Sequence, residues 1–101
     1  MKLGILVNSA ENLAQVLGIT KAAARQQGIE AIVFVMDDGT RLFSRQEFCE
    51  LGGLRGVSMS YCKHSAEELG VETDHLPASI AAGSQYNNAM MNNRADKVIV
   101  L

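Results

Sequence analysis

The chain has 101 residues, of which 48% are hydrophobic and 20% charged, with a formal net charge of -2. That is ordinary globular composition, and with no segment concentrating Lys or Arg it excludes the electrostatic footprint of a nucleic-acid binder. Aromatic residues supply 5% and Trp is absent, so a single domain spanning 1–101 is expected, with a core of Val, Ile, Leu, Ala and Met.

The opening, MKLGILVNSAENL, is too short in its apolar part for a signal peptide and turns polar at Asn8. Leu3–Val7 (LGILV) reads as a buried strand bounded by Asn8-Ser9. Ser9 is placed to cap a helix whose first turn holds Glu11. Leu13, Val16, Leu17 and Ala24 follow helical spacing, and Gly28 supplies the stop. Ala31–Met36 (AIVFVM) is a second strand, continuously apolar as parallel-sheet strands tend to be.

Asp37-Asp38-Gly39 signals a turn rather than a cation site. Ser44 and Glu47 match the capping-box spacing for a short helix through Phe48 and Leu51, ending at Gly52-Gly53. Val57–Tyr61 alternates as a third strand with Cys62 at its carboxyl end. A helix then runs to Leu69 and stops at Gly70. Ala78–Ala82 is a short fourth strand, and Ser84 caps a helix carrying Tyr86, Ala89 and Met90 on one side. Asn87, Asn88, Asn92 and Asn93 read as its exposed face and end. Lys97–Leu101 (KVIVL) closes the chain as a fifth strand.

Alternating strands and helices, joined by connections long enough for parallel pairing, predict a three-layer α/β/α sandwich around a mostly parallel five-stranded sheet. No apolar run approaches the length of about 20 residues that a membrane span needs. Two cysteines without a secretory signal point to free thiols in a reducing, cytoplasmic setting.

Ligands of open parallel sheets bind outside the carboxyl ends of the strands. Asn8-Ser9, Asp37-Asp38 and Cys62-Lys63-His64-Ser65 fall on that edge, with Gly83-Ser84 after the fourth strand. Cys62 heads them. A helix N-terminus presents unpaired N–H groups that favour a thiolate, and the same donors suit a persulfide or another anion. Lys63 adds positive charge, and His64 is a base, a partner contact or, more simply, a solvated surface group. An inert strand-end cysteine is the competing reading, because free Cys is commonly a small core residue. Ser65 and Glu68 also have capping-box spacing, which would start the helix after Cys62 and weaken its activation. Cys49, inside the short second helix, is expected to be buried, a resolving role being the alternative. Cys62, His64 and His75 match no closed zinc spacing, and neither a phosphate loop nor GxGxxG occurs, so no metal and no cofactor are expected.

Across nearly all of its length the chain resembles the DsrE/DsrF/DsrH-like family, which includes sulfur-relay subunits. The resemblance is carried by GILVNS, VFVMDDGT, GVSMSYCKHSAEELGV and AAGSQYNNAMMNNRADKVIVL in that order, most specifically by Cys62 followed by Gly70-Val71. It implies a small α/β domain of a kind that assembles as homo- or hetero-oligomers, often trimers or hexamers, and a homo-oligomer is the expectation here. It also implies that Cys62 accepts sulfur as a persulfide and passes it between donor and acceptor proteins. Where relay members often carry arginine before the glycine, this chain has Glu68-Leu69.

The leading expectation is therefore a sulfurtransferase-like carrier with Cys62 as the reacting group, and Lys63, His64, Ser65 and Asn8 around it in the cleft. Backbone N–H groups near His64 to Ala66 would steady the charge. The chemistry is thiol exchange and requires an exposed sulfur. Two other classes stand beside it: a non-catalytic oligomeric binding or regulatory subunit, and a thiol redox sensor.

Overall fold

The computed structural model describes residues 1–101. Five short strands form one sheet: β1 (Lys2–Val7), β2 (Glu30–Val35), β3 (Val57–Cys62), β4 (Ile80–Gly83) and β5 (Lys97–Val100). Their spatial order is β4-β3-β2-β1-β5, and all four pairings are parallel. The first four strands add one after another toward one edge. The chain then crosses back over the sheet to place β5 beside β1, with Leu3 opposite Lys97 and Leu6 opposite Val100.

The strand period of two divides the apolar residues between two faces. Ile5, Val7, Val33, Val35, Met59 and Tyr61 point into the main core. That face is covered by α1 (Leu13–Arg25), a 3-10 helix at Asp37–Ser44, α2 (Gln46–Cys49) with a further 3-10 turn, and α3 (Lys63–Glu68). Phe34 and Cys62 point the other way, where Met91 of α4 (Gln85–Arg94) covers them. This is the three-layer sandwich the sequence predicts, with one thick helical layer and a thin one made of α4 alone.

Caps differ from expectation where a hydroxyl finds another partner. Ser9 does not cap α1; its Oγ accepts the Glu11 N–H at 3.1 Å and closes a local bend. The helix starts at Leu13 behind Asn12, whose side chain donates to the Leu101 carbonyl at 3.3 Å. Ser44 likewise caps nothing: it donates to the Arg41 carbonyl at 3.1 Å, and Glu47 pairs with Arg45 at 3.1 Å. The Asp37-Asp38-Gly39 turn continues into a 3-10 helix. Asp37 takes φ 48, a left-handed conformation that Asp tolerates better than most residues.

Two expected helix signals hold. Gly70, at φ 68, follows α3 in the left-handed conformation that ends helices. Ser84 caps α4 through a reciprocal box with Asn87: Ser84 Oγ accepts the Tyr86 N–H at 3.2 Å, and Asn87 Oδ1 accepts the Ser84 N–H at 3.1 Å. The side of α4 that meets the sheet is not the expected one. Met91 is its buried anchor and Tyr86 is 69% exposed, because the box turns Asn87 inward and Met91 lies one turn further along the same face.

Candidate functional site

Cys62 is the last residue of β3 and the N-cap of α3. Parallel register sets Cys62 opposite Gly83, the last residue of β4. The chain therefore leaves β4 beside Cys62, and Gln85 opens α4 there. Two strand ends and two helix starts meet at this corner of the carboxyl rim. The expected open sulfur is not found: Cys62 is 4% exposed, clustered with Phe34 and Met91. The cause is α4, which must begin at this corner and cross the sheet to reach β5.

As a neutral thiol Cys62 makes no side-chain capping hydrogen bond. Burial pushes the thiol up, since a charge is costly away from water. Against this act the Ser65 hydroxyl, the Ser65 N–H, the Gln85 side-chain amide and the His64 N–H, all donors to the ionised sulfur. The donors prevail, and the thiol lies below its ordinary value. Because α3 has six residues, these local donors carry the effect rather than a long helix dipole.

The sequence-predicted residues sort by this geometry. Ser65 is buried and supplies two of the donors. His64 supplies its backbone N–H, while its ring turns outward to Glu68 at 3.0 Å. Lys63 reaches Glu67 at 4.0 Å in solvent and is not among the groups that shift the thiol. Asn8 is exposed after β1, and β2 lies between that strand and β3, so the fold does not bring it to Cys62. Asp37 and Asp38 are exposed.

Cys49 is 8% exposed in the main core, on the opposite face of the sheet from Cys62. Its Sγ donates to the Phe43 carbonyl at 3.3 Å, and His75 Nε2 lies 2.7 Å from the same oxygen. Burial, then the Glu50 charge, pushes the Cys49 thiol up. A resolving partnership between the two thiols would have to pass through the sheet. The largest surface depression, about 730 Å³, lies on the Cys49 side against Leu54, Pro77 and Ser79, away from Cys62. No cluster of three His, Cys, Asp or Glu side chains that could hold a metal ion is present. No helix is long and apolar enough to cross a membrane.

Gln85 is the functional residue that sequence reasoning misses. Its only signal is indirect: in a parallel pair, the residues after one strand sit beside the end of its neighbour, so Gly83-Ser84-Gln85 belongs near Cys62 once β3 and β4 pair.

These features define a class: a small parallel α/β protein with a polar-held cysteine at the carboxyl rim. Among solved structures the chain is similar to the YchN protein of E. coli, with TM-score 0.79, 19% identity and full coverage of both chains at 100%. It is also similar to MTH1491, a protein of unknown function from Methanobacterium thermoautotrophicum, with TM-score 0.72 and 13% identity over 99% of this chain and 98% of that one. At such identities the likeness establishes the fold. No protein-family model and no curated protein matches the chain.

Proposed function

We propose that the chain is a sulfur-relay protein that carries sulfane sulfur on Cys62. The observation that carries this reading is the place of Cys62 at the joint of β3 and α3, opposite the end of β4, where Ser65, Gln85 and His64 hold its thiol below the ordinary value despite burial. The order of motifs resembling the DsrE/DsrF/DsrH-like family, and a fold shared with YchN over the whole chain, support it.

The thiolate attacks the outer sulfur of a donor persulfide, R–S–SH. The donor S–S bond breaks, its electron pair leaves with the donor thiolate, and Cys62–S–SH forms. An acceptor thiolate then attacks that outer sulfur, and Cys62 departs as thiolate. Sulfur moves without net oxidation, and no metal or cofactor takes part. A lowered thiol value serves both steps, since it favours the attacking form and improves the leaving group. Donor and acceptor are protein thiols in this reading, met by a cytoplasmic homo-oligomer, trimer or hexamer.

A second reading, an oligomeric binding or regulatory subunit, is favoured by different residues. Tyr86 and Val100, 69% and 59% exposed, stand on or beside the thinly covered face, and Cys62 itself is buried.

The experiment is intact mass after exposure of reduced protein to a persulfide donor. The relay reading expects one added sulfur in the wild type and none in Cys62→Ala. Equal masses before and after exposure would remove it in favour of the binding subunit.

A further inference from the structure

The asparagine-rich run of α4 is left over by the function proposed above, yet its side chains form a continuous chain of amides. Asn92 Nδ2 donates to Asn88 Oδ1 at 2.9 Å and to the Asn88 carbonyl at 2.8 Å. Asn88 Nδ2 donates to Gln85 Oε1 at 3.2 Å. Gln85 Nε2 then reaches the Met36 sulfur at 3.7 Å; Met36 packs against the cluster that holds Cys62, and Cys62 lies opposite Gly83, two residues before Gln85. The links follow the helical spacing of three and four residues that brings side chains together on one face. The direction of the chain matters. With Oε1 occupied by the Asn88 N–H, the Gln85 amide has its NH₂ end turned toward the Met36 sulfur and the cluster beneath it that holds Cys62. The opposite orientation would set two NH₂ groups against each other and turn an oxygen that way.

Burial adds a second argument. Of the two side chains that lower the Cys62 thiol, Ser65 is buried in the rim and Gln85 is exposed. Phe34 and Met91, beside the sulfur, are fixed in the interior. A thiol buried at 4% exposure can be reached with least disturbance where the covering group is a surface side chain with free rotamers. Gln85, exposed, seated on Met36 and two residues past the Gly83 that lies opposite Cys62, is placed to be that group.

We propose that Gln85, held in orientation by Asn88, is the residue that both donates to the Cys62 thiolate and covers it, so that a partner reaches the sulfur by displacing the Gln85 side chain. Asn88 is then a positioning residue acting through Gln85. The proposal deepens the relay reading by naming how access to the reacting sulfur is governed, and it rests on that reading for its purpose, though not for its test.

The test is the pH profile of iodoacetamide alkylation at Cys62, followed by peptide mass in the full chain, which needs no sulfur donor. Charged or titratable groups close by are Asp37 and Asp38 after β2, Lys63, His64, Glu67 and Glu68 on α3, and Tyr86 on α4. None of their charges is among the causes that lower the Cys62 thiol, so the profile reads the donors. Gln85→Ala should move the midpoint up and cut the neutral-pH rate relative to the alkaline plateau by about tenfold, the worth of one hydrogen bond to a charged group. The plateau itself should rise, because the cover is gone. Gln85→Glu keeps the shape but offers no donor, so its midpoint should also rise, without the gain in plateau. Asn88→Ala should raise the midpoint by less than Gln85→Ala, while Asn93→Ala, on the same helix outside the amide chain, leaves the profile unchanged. An unchanged midpoint or an unchanged plateau in Gln85→Ala overturns the proposal. If the profiles move as stated but no persulfide ever forms on the wild type, the relay reading fails and the account of Gln85 stands.

Discussion

Ser65 gives the Cys62 sulfur two donors, its hydroxyl and its N–H, and the backbone supplies the second whatever the side chain is. Ser65→Ala should therefore weaken the thiolate without abolishing it, slowing alkylation of Cys62 at neutral pH by roughly tenfold while the alkaline rate holds. The two cysteines also pull stability in opposite directions with pH. A thiol lowered by folding adds stability above its ordinary range, and that contribution is lost as pH falls through the folded value. A thiol raised by folding, as Cys49 is, adds stability that is present below the ordinary range and lost as pH rises through the raised value. Thermal melts at rising alkaline pH should accordingly steepen in Cys62→Ala and flatten in Cys49→Ala, both compared as slopes with the wild type. Of the site, Cys62, Ser65 and the His64 N–H were legible because they are contiguous at a strand-to-helix junction. Gln85 was not, because its proximity depends on which strands pair.

The helices are where local signals compete. Ser9, Ser44 and Ser84 all stand before helical stretches, yet Ser84 alone caps the helix it announces. The hydroxyls of Ser9 and Ser44 serve a bend and a preceding carbonyl instead, an outcome set by loop geometry that spacing does not encode. Removing the working cap with Ser84→Ala should cost about 1 kcal/mol, lowering Tm by about 4–8 °C for a domain of this size. The cost matters locally as well, since the cap fixes the start of α4 and so the place of Gln85. The 3-10 helix after β2 is held differently. A Cβ on Gly39 would collide with the Val7 carbonyl oxygen, a backbone atom that no change of rotamer can move aside. Gly39→Ala should thus destabilise by about 1–3 kcal/mol in urea unfolding.

At the level of the molecule, the alternation of strand-like and helix-like segments was enough to give the parallel sheet and its two helical layers. The order β4-β3-β2-β1-β5 was not readable, because nothing local tells the last strand to return to β1. That return has consequences for dynamics and chemistry alike. It leaves the four-residue strands β4 and β5 as edges, with Val98 and Val100 exposed on β5. Hydrogen exchange should then protect the amides of β1 and β2 most and release those of β4 and β5 first. It also draws α4 across the thin face, which is why the Cys62 sulfur lies under a helix start rather than in the open. The most direct test of the account is to load the reduced protein from a donor whose outer sulfur is isotopically labelled, locate the label by peptide mass, and chase with an acceptor thiol. Label is expected on the Cys62 peptide and then on the acceptor. Label confined to Cys49, or no label on either cysteine, would contradict it.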